Sequence, residues 1–356
     1  MKYLMTVFVV GLLSYATQAQ EATYIVKLKP KKTLKADFTC AKIIDKRLVK
    51  TNIGFAQKGM MNTPAKAIFP DGFEPYMQRT MDKLLPKSED KEALVLIFHE
   101  LNVSEKTTAF SEKGFCRIAI EFAREQEGQF YSLGFFDAEI QKGGMDVTKK
   151  HDDRILEGLA KCVKGFVESD WKNKAGELIE EEETFTYDFK AVPAEGIYAS
   201  FGKMAKSESI PNVDYHIRTN KANKRFLKFQ VYEGKRKTKK RVMYFSDGAH
   251  VYINATRYSY GSYFIRSKHL GRYIYFEDRF SDPAAGMAFG LVGAAISTST
   301  KSVILDTETG LVKVLRKADM TNFLKDYPEI LKTYNASRKK LKDREAAIIA
   351  VNAQFE

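Results

Sequence analysis

The chain has 356 residues, of which 44% are hydrophobic and 12% aromatic, and carries a formal net charge of +13. These fractions exclude a disordered or fibrous polymer and suffice for a real core, and the length points to two domains. The 18 tyrosines and 25 phenylalanines favour sheet. The basic charge is spread along the chain, which serves solubility first and attraction to anionic partners second.

Residues 1–19 read as a secretory signal peptide. Lys2 supplies a positive start, Leu4 to Tyr15 is almost wholly apolar, and Thr17 and Ala19 place small residues before a cut after Ala19. The run is too short for a bilayer, which takes about 20 residues, although a retained anchor is the alternative. The expectation is export to the periplasm or the medium. No cysteine lies near the cut, so the protein is not expected to be a lipoprotein.

A first domain is expected over 24–171. Tyr24–Lys29 is extended, Asp37–Asp45 reads as a strand, and turn signals follow at Asn52-Ile53-Gly54, Lys58-Gly59, Pro64, Pro70 and Pro75. Glu74–Leu85 has helical spacing and stops at Pro86. Ala93–Val103, Gly114–Ala123 and Gln129–Ile140 form a three-strand meander, turned at Glu125–Gly128 and closed by Gly143-Gly144. A helix then runs to about Val167, capped by Thr148 or Asp146, with Asp152 and Asp153 favoured by the dipole of its first turn.

Residues 172–183, with four glutamates from Glu180 to Glu183, read as a solvated acidic linker to a second domain over 184–356. That domain predicts a turn and short helix at Gly196–Ser207. Strands follow at Asp214–Thr219, Arg225–Tyr232, Lys240–Phe245, Val251–Ala255, Ser262–Ile265 and Arg272–Glu277. Asp247-Gly248 is a hairpin signal. A second hairpin joins Ser302–Asp306 to Leu311–Leu315, and helices follow at Ala318–Leu324, Tyr327–Lys342 and from Asp343. The fold class expected is α+β: two domains, each a mostly antiparallel sheet with helices packed on one face, and a helical C-terminus.

Chemistry-bearing motifs are scarce. Cys40, Cys116 and Cys162 are an odd set for an oxidising compartment, and each sits on an apolar face. Phe38, Cys40 and Ile44 share a parity, as do Cys116, Ile118, Ile120 and Phe122, while Ile155, Leu159, Cys162 and Phe166 share a helix face. Buried thiols are the expectation. The five histidines are scattered, and His99-Glu100 begins like a zinc-protease motif without its second histidine. His151 beside Asp146, Asp152 and Asp153 imitates a metal cluster, but aspartates at a helix start are explained by capping. The sequence contains no nucleophile elbow, phosphate loop or dinucleotide fingerprint, so no catalytic, cofactor or metal residue is assigned.

Two segments stand out. Lys235, Arg236, Lys237, Lys239, Lys240 and Arg241 would crown a hairpin tip able to meet an anionic glycan or lipid surface. The tip has no interleaved aromatics, which argues against nucleic acid. Ala284–Ile296 carries Gly286, Gly290 and Gly293 at a spacing suited to a close helix or oligomer contact.

The run Cys40-Ala-Lys-Ile-Ile-Asp45-Lys-Arg47 followed by Asn52-Ile-Gly54 resembles the α+β domain of YajG-type envelope lipoproteins, from which the chain departs in lacking the lipid-bearing cysteine. Four C-terminal pieces resemble uncharacterised secreted proteins of Gram-negative bacteria. They are Glu195-Gly-Ile-Tyr198 with Phe201, Phe245-Ser-Asp-Gly248 with Val251-Tyr-Ile253, Gly271-Arg-Tyr273 with Phe276, and Asp306-Thr-Glu-Thr-Gly310. The resemblance implies export and no known activity. The function expected is a non-enzymatic interaction module for a partner protein or an anionic envelope component. The alternative is a secreted hydrolase whose carboxylates are assembled by the fold.

Overall fold

Alternation of apolar side chains makes the meander the centre of the first sheet. The computed structural model describes residues 22–58, 63–107, 112–144, 146–180, 187–220, 223–238, 242–259, 261, 263–281 and 298–355. The signal-like segment 1–19, the small-residue segment with Gly286, Gly290 and Gly293, and Lys239, Lys240 and Arg241 lie outside the described residues.

Strands β1 (Thr23–Ile25), β2 (Phe38–Asp45), β3 (Phe55–Lys58), β4 (Thr63–Ile68), β5 (Glu92–Thr107), β6 (Glu112–Gln126), β7 (Gln129–Gly144) and β8 (Glu177–Leu178) build the N-terminal part. The main sheet runs β2-β5-β6-β7-β8, parallel only between β2 and β5. Helices α1 (Phe73–Leu84) and α2 (His151–Val167) cover one face of it. Phe38, Phe122, Phe166 and Trp171 interlock edge-on and stacked at that core's centre, an arrangement aromatic quadrupoles favour.

Cys116, Ile118, Ile120 and Phe122, and Ile155, Leu159, Cys162 and Phe166, all point into this core as their spacing predicts. All three cysteines are buried free thiols. Burial pushes the Cys40 and Cys162 thiols up to about 12 and raises Cys116 as well.

Three expectations need correction. The turn-rich stretch from Asn52 to Pro75 contains β3 and β4, which with β1 make a separate three-stranded sheet. Its inward positions are Ala56, Ala65 and Ala67, too small to show as a hydrophobic pattern. In β2 a register shift between Cys40 and Lys42 puts Ile43 in the core and turns Ile44 to the opposite face. The single helix expected over Tyr327–Lys342 ends at Ala336. There Ser337 Oγ accepts from Lys339 N (3.0 Å), Lys339 takes a φ of 54°, and Asp343 accepts from Lys340 N (2.8 Å) to start the next helix.

The C-terminal part is a ten-stranded sheet of β9 (Gly196–Tyr198), β10 (Asp214–Asn220), β11 (Asn223–Glu233), β12 (Arg236–Lys237), β13 (Tyr244–Ser246), β14 (Val251–Asn254), β15 (Phe264–His269), β16 (Tyr273–Phe280), β17 (Ser299–Asp306) and β18 (Val312–Leu315). Every pairing in it is antiparallel. Helices α4 (Met320–Phe323), α5 (Pro328–Ala336) and α6 (Leu341–Asn352) pack on the face bearing Tyr275 and Ile304. The opposite face, with Ile274, Phe276, Val303 and Leu305, packs against the short α3 (Phe201–Ala205). Leu48 and Val49, from the connection between β2 and β3, pack against this second core, so the N-terminal chain plugs into the C-terminal sheet. The whole is an α+β fold with a helical C-terminus. Among the described residues no helix is long and apolar enough to cross a membrane.

Candidate functional site

The connection that carries Leu48 and Val49 is held rigid by Arg47. Its guanidinium grips Asp45 through Nε (2.8 Å) and Nη2 (2.9 Å), donates from Nη1 to the Asn52 carbonyl (2.8 Å), and lies 3.7 Å from the centre of the Phe73 ring. A planar fork suits this combined pairing and stacking better than a lysine would. Asn52 closes the loop and joins the two sheets. Its Oδ1 accepts from Gly54 N (2.8 Å) and its Nδ2 donates to the Thr309 carbonyl (3.1 Å). Gly54 has a φ of 110° and lies so near β5 that a Cβ there would stand 2.0 Å from the Val103 oxygen.

This junction borders a cleft of about 290 Å³ between the helix-free face of the N-terminal sheet and the C-terminal sheet. A bulge in β5 creates the first wall. Leu94, Leu96 and Phe98 face the helices, the register then shifts between Phe98 and Glu100, and Leu101 and Val103 take over the helix side. Glu100, Asn102 and Ser104 are thereby turned into the cleft, beside Phe115, Arg117 and Phe135 from β6 and β7. The second wall comes from Ser200, Phe201, Lys203 and Lys206 on and after α3, with Met243, Arg257 and Gly310.

The electrostatics of the two walls differ. On the first, Arg117 donates to Glu100 Oε2 (3.4 Å) and to Glu139 Oε2 (3.1 Å). Burial works against the Arg117 charge, but the two carboxylates more than offset it and raise its pKa. Glu100 Oε1 is buried without a hydrogen-bond partner among the described residues. His99 Nε2 lies 2.9 Å from Glu121 Oε2. Burial alone would raise the Glu121 pKa, but hydrogen bonds from His99 and Ser132 bring it below the usual value. On the second wall Lys203 pairs with Glu208, and its ammonium also reaches across to the Phe135 ring, 5.8 Å away. Arg257 donates from Nη2 to the Gly310 carbonyl (3.0 Å) and makes no ion pair among the described residues.

The cationic hairpin expected from the sequence is present in part. The chain turns at Gly234-Lys235, and Lys235, Arg236 and Lys237 are exposed at the start of the return strand. None of the three lines the cleft. His151 has no metal-like role. It is fully buried, with Nε2 2.7 Å from Glu105 Oε1 and Nδ1 accepting from Arg154 Nη2 (3.1 Å), which places the neutral ring's proton on Nε2. Burial lowers its pKa despite the Glu105 hydrogen bond. Glu105 Oε2 also accepts from Thr148 Oγ1 (3.0 Å) and Gln57 N (3.1 Å), so this network fastens α2 to the small sheet and β5. Asp146 Oδ1 accepts from Lys149 N (3.2 Å) in the 3-10 turn before α2, while the N-cap of α2 itself is Lys150 with no side-chain cap, so the expectation that Thr148 or Asp146 caps the helix needs correction. Among the described residues no three His, Cys, Asp or Glu side chains gather as a metal site.

Two of the sequence motifs do meet. Arg47, Asn52 and Gly54 of the N-terminal motif and Phe201, Thr309 and Gly310 of the C-terminal pieces all fall at the cleft or its seam. Arg117, Lys206 and Arg257 carry no motif, and Glu100 stands out in the sequence only beside His99 in an incomplete zinc-protease pattern. The one signal for its place in the cleft was the parity switch from Phe98 to Leu101, which reports a bulge but not what faces it.

Residues 196–350 match a family of unknown function, DUF6563. No curated protein and no solved structure matches the chain. The match runs from β9 into α6 and includes most of the second wall, but it leaves out the Arg47–Gly54 connection and the first wall.

Proposed function

We propose that the protein is an exported, non-enzymatic binding module whose cleft takes an anionic group of an envelope component or partner. The observation that carries this reading is the second wall. Arg257 stands there with no ion pair among the described residues, near the Lys203–Glu208 pair and beside the apolar Phe201, Met243 and Phe135. Cations set among apolar side chains in a concave, partly dry site hold an anion more firmly than the same cations on open surface. The exposed Lys235, Arg236 and Lys237 add longer-range attraction for the same sign of partner. Export rests on the layout of residues 1–19. Both carboxylates on the lining, Glu100 and Glu208, are ion-paired, which suits binding better than acid–base work.

The test is thermal unfolding of the chain without residues 1–19 in a panel of small carboxylates, phosphates and sulfates, each with a neutral isostere. A ligand at about a hundred times its Kd stabilises by about 2.7 kcal/mol, a shift of a few degrees for a chain of this size. Anions should raise the melting temperature, neutral isosteres should not, and Arg257→Gln should abolish the rise. A panel without any anion-specific shift would refute the reading. Hydrolytic turnover abolished by Glu100→Gln or Glu208→Gln would replace it with the enzyme alternative.

A further inference from the structure

We propose that the ligand of the cleft is an acidic disaccharide unit of a glycan, with its carboxylate on Arg257, hydroxyls of the same ring on Asn102 and its second ring on Phe135. This deepens the binding-module reading and rests on it. Three observations carry the step.

The first is the polar end of the cleft. Three arginines lie on the lining, and Arg47 and Arg117 are each committed to carboxylates. Arg257 donates from Nη2 to the Gly310 carbonyl and pairs with no carboxylate among the described residues. The rest of its planar fork suits a ligand carboxylate. Asn102 is half-buried, and its amide has no hydrogen-bond partner among the described residues. Neither side chain contributes a sealed, unmatched atom, so both open to the cleft. The seam brings them to the same end. Arg257 holds Gly310, Asn52 holds the neighbouring Thr309, and Gly54 bridges to Val103, the residue after Asn102. An amide offers donors and an acceptor side by side. Neighbouring hydroxyls match it, one accepting from Nδ2 and the other donating to Oδ1, whereas a carboxylate alone leaves Oδ1 without a donor.

The second is Phe135 at the other end, which is 48% exposed although it lines a concave site. The C–H face of a sugar ring covers such a ring well, its weakly positive hydrogens against the negative aromatic face. The third is length. Phe135 pairs with Glu121 and Asn102 with Arg117, four residues apart on β6. At about 3.4 Å per residue that is roughly 14 Å along the sheet, beyond one sugar ring and within reach of two linked ones. At roughly 30 Å³ per water the cleft of about 290 Å³ admits on the order of ten water-sized groups, close to two rings.

Calorimetric titration of the chain without residues 1–19 tests this with cellobiuronate and digalacturonate and with their neutral counterparts, cellobiose and galactobiose. Glucuronate and galacturonate supply the single acid rings, and cyclohexanecarboxylate supplies a ring acid without hydroxyls. At least one acidic disaccharide should bind about tenfold to a hundredfold tighter than its neutral counterpart, the range for a charge-assisted hydrogen bond lost. It should bind about twofold to tenfold tighter than its single acid ring, the range of one aromatic contact. Phe135→Ala should erase that second margin, with an unchanged melting temperature of the free protein as the control for folding. The ligand comparison on the unaltered chain needs no variant. If the single acid rings match the disaccharides, the Phe135 subsite and the two-ring ligand are overturned. If cyclohexanecarboxylate binds as tightly as the acidic sugars, the sugar is overturned while the anion-binding reading stands. If the neutral disaccharides match the acidic ones, the Arg257 contact is overturned and the anion-binding reading falls with it. If none binds at about 10 mM, where even millimolar affinity is measurable, this proposal is overturned. The acid panel then decides the broader reading separately.

Discussion

Asn52 is the residue whose loss should separate the two sheets most cleanly. It is 4% exposed, and its two amide atoms serve two different parts of the molecule, Gly54 N at 2.8 Å and the Thr309 carbonyl at 3.1 Å. Asn52→Ala removes both partners and leaves a buried donor and a buried acceptor unmatched. A buried polar group left unmatched costs about 1–3 kcal/mol, so the expected loss is roughly 2–4 kcal/mol, less whatever water recovers. Asn52→Asp separates the two contributions. It keeps the acceptor for Gly54 N but turns a carboxylate oxygen toward the Thr309 carbonyl, so it should be at least as damaging at neutral pH. Guanidinium unfolding followed by far-ultraviolet circular dichroism and by Trp171 fluorescence is the assay. Trp171 lies in the N-terminal core, so a loosened junction should make the two probes part in the alanine variant while they coincide in the parent. A loss under about 0.5 kcal/mol with coincident probes would refute the claim that Asn52 ties the sheets together, since that is the range of an ordinary surface change.

The His151 network should make the fold acid-sensitive. The folded pKa lies below the ordinary value of 6.5, so the unfolded chain takes up the proton first and stability is lost as pH falls from about 7 through the folded pKa. The slope for this one group reaches at most about 1.4 kcal/mol per pH unit, and His151→Gln should flatten the stability profile between pH 7 and 5; an unchanged slope would count against it. Gly54→Ala combines a φ of 110° with a Cβ 2.0 Å from the Val103 oxygen, against backbone that has little freedom to move. It should cost more than about 3 kcal/mol or abolish soluble expression, and a melting temperature within a degree of the parent would show that the β5 contact is looser than described. The three cysteines should resist a thiol reagent at pH 8, because burial raises all three thiol pKa values, and should react together once denaturant is added. Rapid labelling of any one of them in the native protein would contradict its place in the core.

Much of the fold was legible locally because a side chain's face follows from its own element's period. The Cys116–Phe122 strand and the Ile155–Phe166 helix each declare a buried face without reference to anything distant. The hairpins at Asp247-Gly248 and Glu308-Thr309-Gly310 were legible for the same reason, since turn chemistry acts over a few residues. Where the reading failed, the deciding contact lay elsewhere. Alanines reveal no hydrophobic strand, so β3 and β4 became visible only once β1 and β5 were there to pair and bridge with them. The bulge that moves Ile44 off the core needed the partner strand to define its register.

The cleft belongs wholly to that second kind. Asn52 and Thr309 are 257 positions apart, and Glu100 faces inward only because β5 shifts register against β6. By itself the sequence determined the α+β class, the buried faces, the three core thiols and the basic character of one hairpin, all of which depend on local periodicity and composition. Only the tertiary structure decided which charged side chains share a wall and which carboxylate oxygen is left without a donor. Electrostatic complementarity depends on distances through space, and no spacing along the chain encodes them.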